Sequence, residues 1–125
     1  MPDAFTVTPD WAVATAQGLL DHDRPFHAHE VLEAAWKAAS PAERNLWQGL
    51  AQLAVGLTHA RRGNARGAVT LLRRGGARLT GYAGTSPHGI DVDGVHGQAD
   101  ALAAEIEERG LAAVPAGRLR LRLTR

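Results

Sequence analysis

His29, Glu30 and Glu33 stand in one short run, His29-Glu30-Val31-Leu32-Glu33. At helical spacing His29 and Glu33 are one turn apart and share a face. An imidazole and a carboxylate so placed can hold a divalent metal. The run has the shape of a zincin helix with Glu in place of the second His. Glu30 is then the candidate catalytic residue, a general base, and His59 the candidate third metal ligand. This reading is a metal-dependent, hydrolase-like site with a divalent cofactor.

The same residues support a structural reading, which is the preferred one. A very short turn at Ser40-Pro41 separates two helical patterns, so these helices are expected to be antiparallel neighbours. Residues equidistant from the turn then pair, Glu33 with Gln48 and His29 with Gln52. His59 sits further along the same side. Buried polar groups need partners, and this ladder supplies matched donors and acceptors beside Trp36. Here the ladder fixes helix register, and the chain is a non-catalytic module that binds a protein partner or forms a homo-oligomer. His22 and His27 are expected to be exposed. Asp91 and Asp93, near His88 and His96, read as helix caps, because the EF-hand spacing is absent.

Charge gives a third reading. Residues 1–43 hold seven acids and two bases, and residues 44–90 hold seven arginines and no acid. Residues 91–125 hold six acids and five bases, so the net charge is only +1. A basic middle between acidic flanks implies internal pairing first and an external anion second. Arg61, Arg62, Arg66, Arg73, Arg74 and Arg78 form the basic face of the fourth helix and its turn, where an anion or nucleic acid could bind. No aromatic residue is interleaved there to stack bases, which argues against nucleic acid. Glu30 or Glu33 is expected to meet an arginine from Arg61 to Arg66.

The elements that must position these residues are helical. With 125 residues and 45% apolar content, the chain suits one core. It has no cysteine, hence neither disulfides nor thiolate metal sites. Met1 to Thr8 has no basic patch followed by an apolar run, and the uncharged run Asn45 to Ala60 is too short to span a membrane. The expectation is a cytoplasmic protein that does not enter the membrane. The spacing predicts helix 1 over Pro9 to Asp21, capped by Thr8 and anchored by Trp11, Leu19 and Leu20. Helix 2 runs from Pro25 to Ala39, with Ala28, Leu32, Ala35, Trp36 and Ala39 on its apolar face. Ser40-Pro41-Ala42-Glu43 reads as a capping box that opens helix 3, which continues to Arg62. Leu46, Leu50, Leu53, Leu57 and Ala60 are its apolar stripe. Gly49 and Gly56 make sense if another helix passes close. Gly63-Asn64 is a turn, helix 4 runs from Ala65 to Leu79, and Gly75-Gly76 is expected to loosen or bend it. Helix 5 runs from Asp91 or Asp93 to Gly110. The fold class is all-α: a compact bundle of four main helices plus a C-terminal helix, with central helix 3 buried. Residues 1–110 are one helical domain and residues 111–125 a C-terminal extension. Arg118 to Leu123 alternates Arg and Leu like a strand, but with no strand to pair it reads as a docked or frayed tail.

Two stretches resemble the signature of domain-of-unknown-function family 309. One is Phe26-His27-Ala28-His29-Glu30-Val31-Leu32-Glu33-Ala34-Ala35-Trp36. The other is Leu46-Trp47-Gln48-Gly49-Leu50-Ala51-Gln52-Leu53-Ala54-Val55, followed by His59 and Arg62-Gly63-Asn64-Ala65-Arg66-Gly67-Ala68. The resemblance spans roughly Trp11 to Glu107. It implies a small all-helical, bacterial-type domain with no established activity. The family's characteristic positions fall on His29, Glu30, Glu33, Trp36, Gln48, Gln52, His59, Gly63, Asn64 and Gly67. A looser likeness to one tetratricopeptide hairpin, through Gly56, His59, Ala68 and Leu72, implies hairpin packing and a peptide groove.

Overall fold

Thr8 and Pro9 open the first helix as their chemistry requires. The Thr8 hydroxyl accepts the Trp11 amide, and Pro9 supplies a first-turn residue that needs no donor. The structure is a computed structural model that describes residues 7–125. Most of the stretch read for a leader, Met1 to Thr8, lies outside the described residues. Five helices follow in order: α1 (Pro9–Asp21), α2 (Pro25–Ala38), α3 (Arg44–Arg61), α4 (Ala65–Leu79) and α5 (Val92–Arg109). Each packs on its neighbour in sequence, so α3 lies in the middle, between α2 and α4. The fold is all-α. Its only described strand-like pairing is an isolated bridge between Ile90 and Thr124. No described helix is long and apolar enough to cross a membrane.

The turns follow local chemistry. Gly63 takes φ +80 after α3, and the Asn64 side chain caps α4 by accepting the Gly67 amide. Asp91 caps α5 in the same way, through the Gly94 amide. The capping box at Ser40 does not form. Ser40 makes no side-chain cap bond, and Pro41–Glu43 is a single 3-10 turn ahead of α3. Glu43 is diverted: it accepts the Trp47 indole N–H at 3.1 Å and His88 Nε2–H at 2.9 and 3.0 Å. Two side-chain donors, an indole and an imidazole, hold its carboxylate away from the Ser40 backbone.

The bond from His88 holds the Glu43 carboxyl below its ordinary pKa. The Trp47 N–H adds to this, against desolvation, which raises it. A carboxyl depressed in the folded state stabilises the fold above its unfolded pKa, about 4.5, and that contribution is lost as pH falls through the folded value. Melting temperature should therefore fall as pH drops below about 4.5, and Glu43→Gln should flatten that part of the profile. Parallel profiles for the two proteins would remove this account.

The core is built around α3, where Leu46, Trp47, Leu50, Leu53, Ala54 and Leu57 are all buried. The anchor of α1 differs from expectation. Trp11 is exposed and Leu19 half-buried, while Ala12, Val13, Ala16, Gln17 and Leu20 face inward. On α4, Ala68, Leu72 and Leu79 carry the inner face and Leu71 is half-buried. Gly75 does not loosen α4, which continues unbroken past it. Its role is close packing. A Cβ on Gly75 would stand 2.7 Å from the Gly49 carbonyl oxygen, and one on Gly49 would stand 2.9 Å from that of Gly75. Two backbones touch, and neither oxygen can retreat. Gly75→Ala should then cost about 1–3 kcal/mol in overpacking, outweighing the ~1 kcal/mol of helix propensity gained. Gly18 is the control, because nothing lies within 4 Å of an added Cβ there. Gly18→Ala should raise stability by about 0.5–1 kcal/mol. Chemical denaturation of both should give shifts of opposite sign.

Candidate functional site

Short connection and antiparallel packing place α2 beside α3, and a recess of about 170 Å³ opens between them. Its walls are His29, Glu33 and Trp36 from α2 and Gln48, Ala51, Gln52 and Val55 from α3. The residues that the register argument pairs do converge here. The bonds are different. Gln52 Oε1 accepts Arg78 Nε–H at 3.0 Å, and Arg78 also donates to Asn45 at 2.8 Å. His29 Nε2 stands 3.7 Å from Glu33, which also faces Lys37 Nζ at 3.8 Å. Both distances are too long for hydrogen bonds. His29 Nδ1 is buried with no partner among the described residues.

Three candidates lie elsewhere. Glu30 is exposed on the far side of α2. His59 pairs with Asn64 at 3.1 Å, with the Asn64 amide and the His59 ring both pressed against Gly67. That pair braces the turn between α3 and α4 and does not line the recess. Of the three candidate metal ligands, His29 and Glu33 adjoin the recess and His59 does not. Among the described residues, no group of three or more His, Asp or Glu side chains is arranged to hold a metal ion.

The expected meeting of Glu30 or Glu33 with an arginine from Arg61 to Arg66 does not occur. Arg61 turns to Asp23 at 2.7 Å, and Arg62 lies over the Phe26 ring, 5.8 Å from its centroid. The reason is the turn after α1. Asp23 adopts φ +61 and presents its carboxylate to Arg61 and Arg120 together. The Arg120 hydrogen bond is the main cause that lowers the Asp23 pKa. Internal charge pairing nonetheless takes the basic middle to its acidic flanks, since Arg73 meets Glu107 and Asp100 on α5.

A family model matches this part of the chain. Domain of unknown function (DUF309) aligns to residues 13–71. Over these residues the chain resembles the DUF309 family. The matched stretch ends within α4, short of Glu107 but past both recess walls. The chain is also similar to the uncharacterized protein YpuF of Bacillus subtilis, 48% identical over 48 residues. That alignment covers 38% of this chain and 28% of the relative's length. No solved structure matches the chain.

Residues of the matched stretch therefore build the recess, yet one of its polar contacts comes from beyond that stretch. Arg78 reads in sequence as a solvated member of a basic face. The signal for its role was the amide row Asn45, Gln48 and Gln52 on an otherwise apolar helix, which needs a donor from a neighbour.

Proposed function

We propose that this DUF309 domain is a non-catalytic binding module that docks a protein partner on the α2/α3 face. One observation carries the reading: His29 Nδ1 is buried at the recess and unpartnered. A stranded buried nitrogen costs stability unless something satisfies it, and a polar group from a partner entering the recess would do so. Half-buried Trp36 lines the same recess, and exposed Phe26 lies 5.9 Å from the His29 ring. Aromatic side chains around a polar pocket suit protein recognition. A homo-oligomer is the form this takes if the partner is a second copy. The metal-dependent reading needs His59 beside His29 and Glu33, and Asn64 holds it in another place. Anion binding by the arginines of α4 and the turn before it is weakened because Arg61, Arg73 and Arg78 already have partners.

The test is a photo-crosslinking residue at position 36 or at Glu108 on α5, in the cells that make the protein. Crosslinks at position 36 that His29→Ala abolishes, with none at 108, are the expected result. Equal capture at both positions would end the proposal. Melts with and without chelator should coincide. A chelator-dependent drop in the wild type, absent in His29→Ala, would put a metal at this site instead.

A further inference from the structure

The C-terminal segment is held as a ligand is held. Leu119, Leu121 and Leu123 are buried, while Arg118, Arg120 and Arg122 between them are exposed. Beyond Leu119 the segment has one short backbone pairing, in which Asp91 N–H donates to the Leu123 carbonyl at 2.8 Å and Thr124 bridges to Ile90. Two glutamines supply the rest of what a strand edge would supply. From α1, Gln17 donates to the Leu121 carbonyl at 3.0 Å and accepts the Leu123 amide at 2.7 Å. From α5, Gln98 donates to the Arg122 carbonyl at 3.0 Å and accepts the Arg122 amide at 2.9 Å. A side-chain amide offers one donor edge and one acceptor edge, the pair that a strand edge would offer. Three successive residues are thus read from alternate sides by their backbone alone.

The side chains add selectivity. The leucines enter the core between α1 and α5. The arginines meet acids along the rim: Arg118 meets Glu105, Arg120 meets Asp23, Arg122 faces Asp21, and Arg125 faces Asp91. These rim pairs lie at the surface, where solvent and salt weaken them. Open space flanks the segment. A recess of about 440 Å³ lies along α1 beside Arg122 and Thr124, and another of about 340 Å³ lies along α5 beside Arg118 and Arg120. The connector from α5 starts at Gly110, φ +80, and runs through two single 3-10 turns without side-chain caps.

We infer that the α1/α5 groove is a binding site for an extended peptide segment of a partner protein, with leucine-sized side chains at alternate positions and arginines between them, and that Arg118–Arg125 is its displaceable in-cis occupant. The acids on the rim select the basic residues, the inner wall selects the leucines, and Gln17 and Gln98 fix the extended backbone. Tethering gives the resident segment a high local concentration, so a partner enters when it brings a better segment or when the resident one is disabled.

The test uses the full chain. Leu121→Asp with Leu123→Asp disables the resident segment, and the probe is a fluorescent peptide of residues 118–125. Saturable binding to this folded variant is expected, and at least about tenfold weaker binding to the wild type, whose own segment competes. Gln98→Ala in the disabled chain should weaken the peptide by up to about fivefold, the loss of a pair of solvent-facing hydrogen bonds. A peptide with its leucines replaced by aspartate should not bind. A disabled chain that is folded but binds no peptide would overturn the inference. Should that variant unfold, a protease site placed between Ala112 and Ala113 of the wild type allows the segment to be cut. Exchange of the cut segment for labelled peptide supports the site, and no exchange overturns it. A wild-type dimer that the peptide disperses would assign the groove to a second copy and overturn the choice of a foreign partner.

Discussion

Trp47→Ala is expected to cost about 3–5 kcal/mol, the range for truncating a buried large aromatic. The indole is 1% exposed at the start of α3. Its loss has three parts. The first is the apolar volume, in contact with the central core. The second is the N–H bond to Glu43. The third is the ring contact with His88, whose centroid lies 5.9 Å away in a tilted arrangement. His88 sits at φ +55 in the connection between α4 and α5, so the indole ties that connection to the start of α3. Trp47→Phe separates volume from polarity. It keeps most of the bulk and leaves Glu43 with its His88 bond, so about 1–2 kcal/mol should be lost. Trp11→Ala, at 38% exposure on α1, should cost far less than Trp47→Ala. Urea denaturation of the three variants at one pH gives the order. A Trp11 variant as damaged as Trp47→Ala would mean that α1, and not α3, anchors the core.

The two tryptophans show where the sequence was legible and where it was not. Helix existence was clear, because Pro, Gly and Asn punctuate the chain at the turns and the apolar period runs between them. Asn64 caps α4 at the expected turn, and of the two aspartates read as caps Asp91 caps α5 while Asp93 accepts the Gly84 amide. The inward face of α1 was not clear. Trp11 is the bulkiest residue of that helix, but Ala12, Ala16 and Leu20 form the buried stripe, and small residues carry little signal until the neighbouring helix is known. The recess was legible as a place, because antiparallel register brings Gln48 and Gln52 opposite α2. Its bonds were not, because Arg78 arrives from α4 and a register argument between two helices cannot see a third. His59 was misread for the same reason. Its spacing suits the recess, but Asn64 in the next turn takes the ring. The tail was legible in pattern only. Alternating Arg and Leu announces a strand with one buried face, and the pairing edge it needs is made mostly of two side chains far apart in sequence, with a short backbone pairing at Ile90 and Asp91.

Gln17→Ala is expected to destabilise the protein by roughly 2–4 kcal/mol, although it removes a polar residue from a largely apolar face. Gln17 falls among Val13, Ala16 and Leu20 on the inward side of α1, and only 8% of it is exposed. Burial of an amide there is tolerable because both ends are satisfied, with Leu121 and Leu123 on one side and Asp21 at 2.9 Å on the other. Alanine would strand the Leu121 carbonyl and the Leu123 amide where water enters poorly. Each such group costs about 1–3 kcal/mol when left unmade. Gln98 is the comparison that decides the cause. It makes the same kind of amide-to-backbone pair to Arg122, but those bonds face solvent. Water can replace the side chain, so Gln98→Ala should cost under about 1 kcal/mol. Identical chemistry at two depths should therefore give unequal losses. Denaturation midpoints at constant slope measure the difference, and hydrogen exchange at the Leu123 amide should speed up in Gln17→Ala more than in Gln98→Ala. Equal losses in the two variants would show that burial does not set the strength of this clamp.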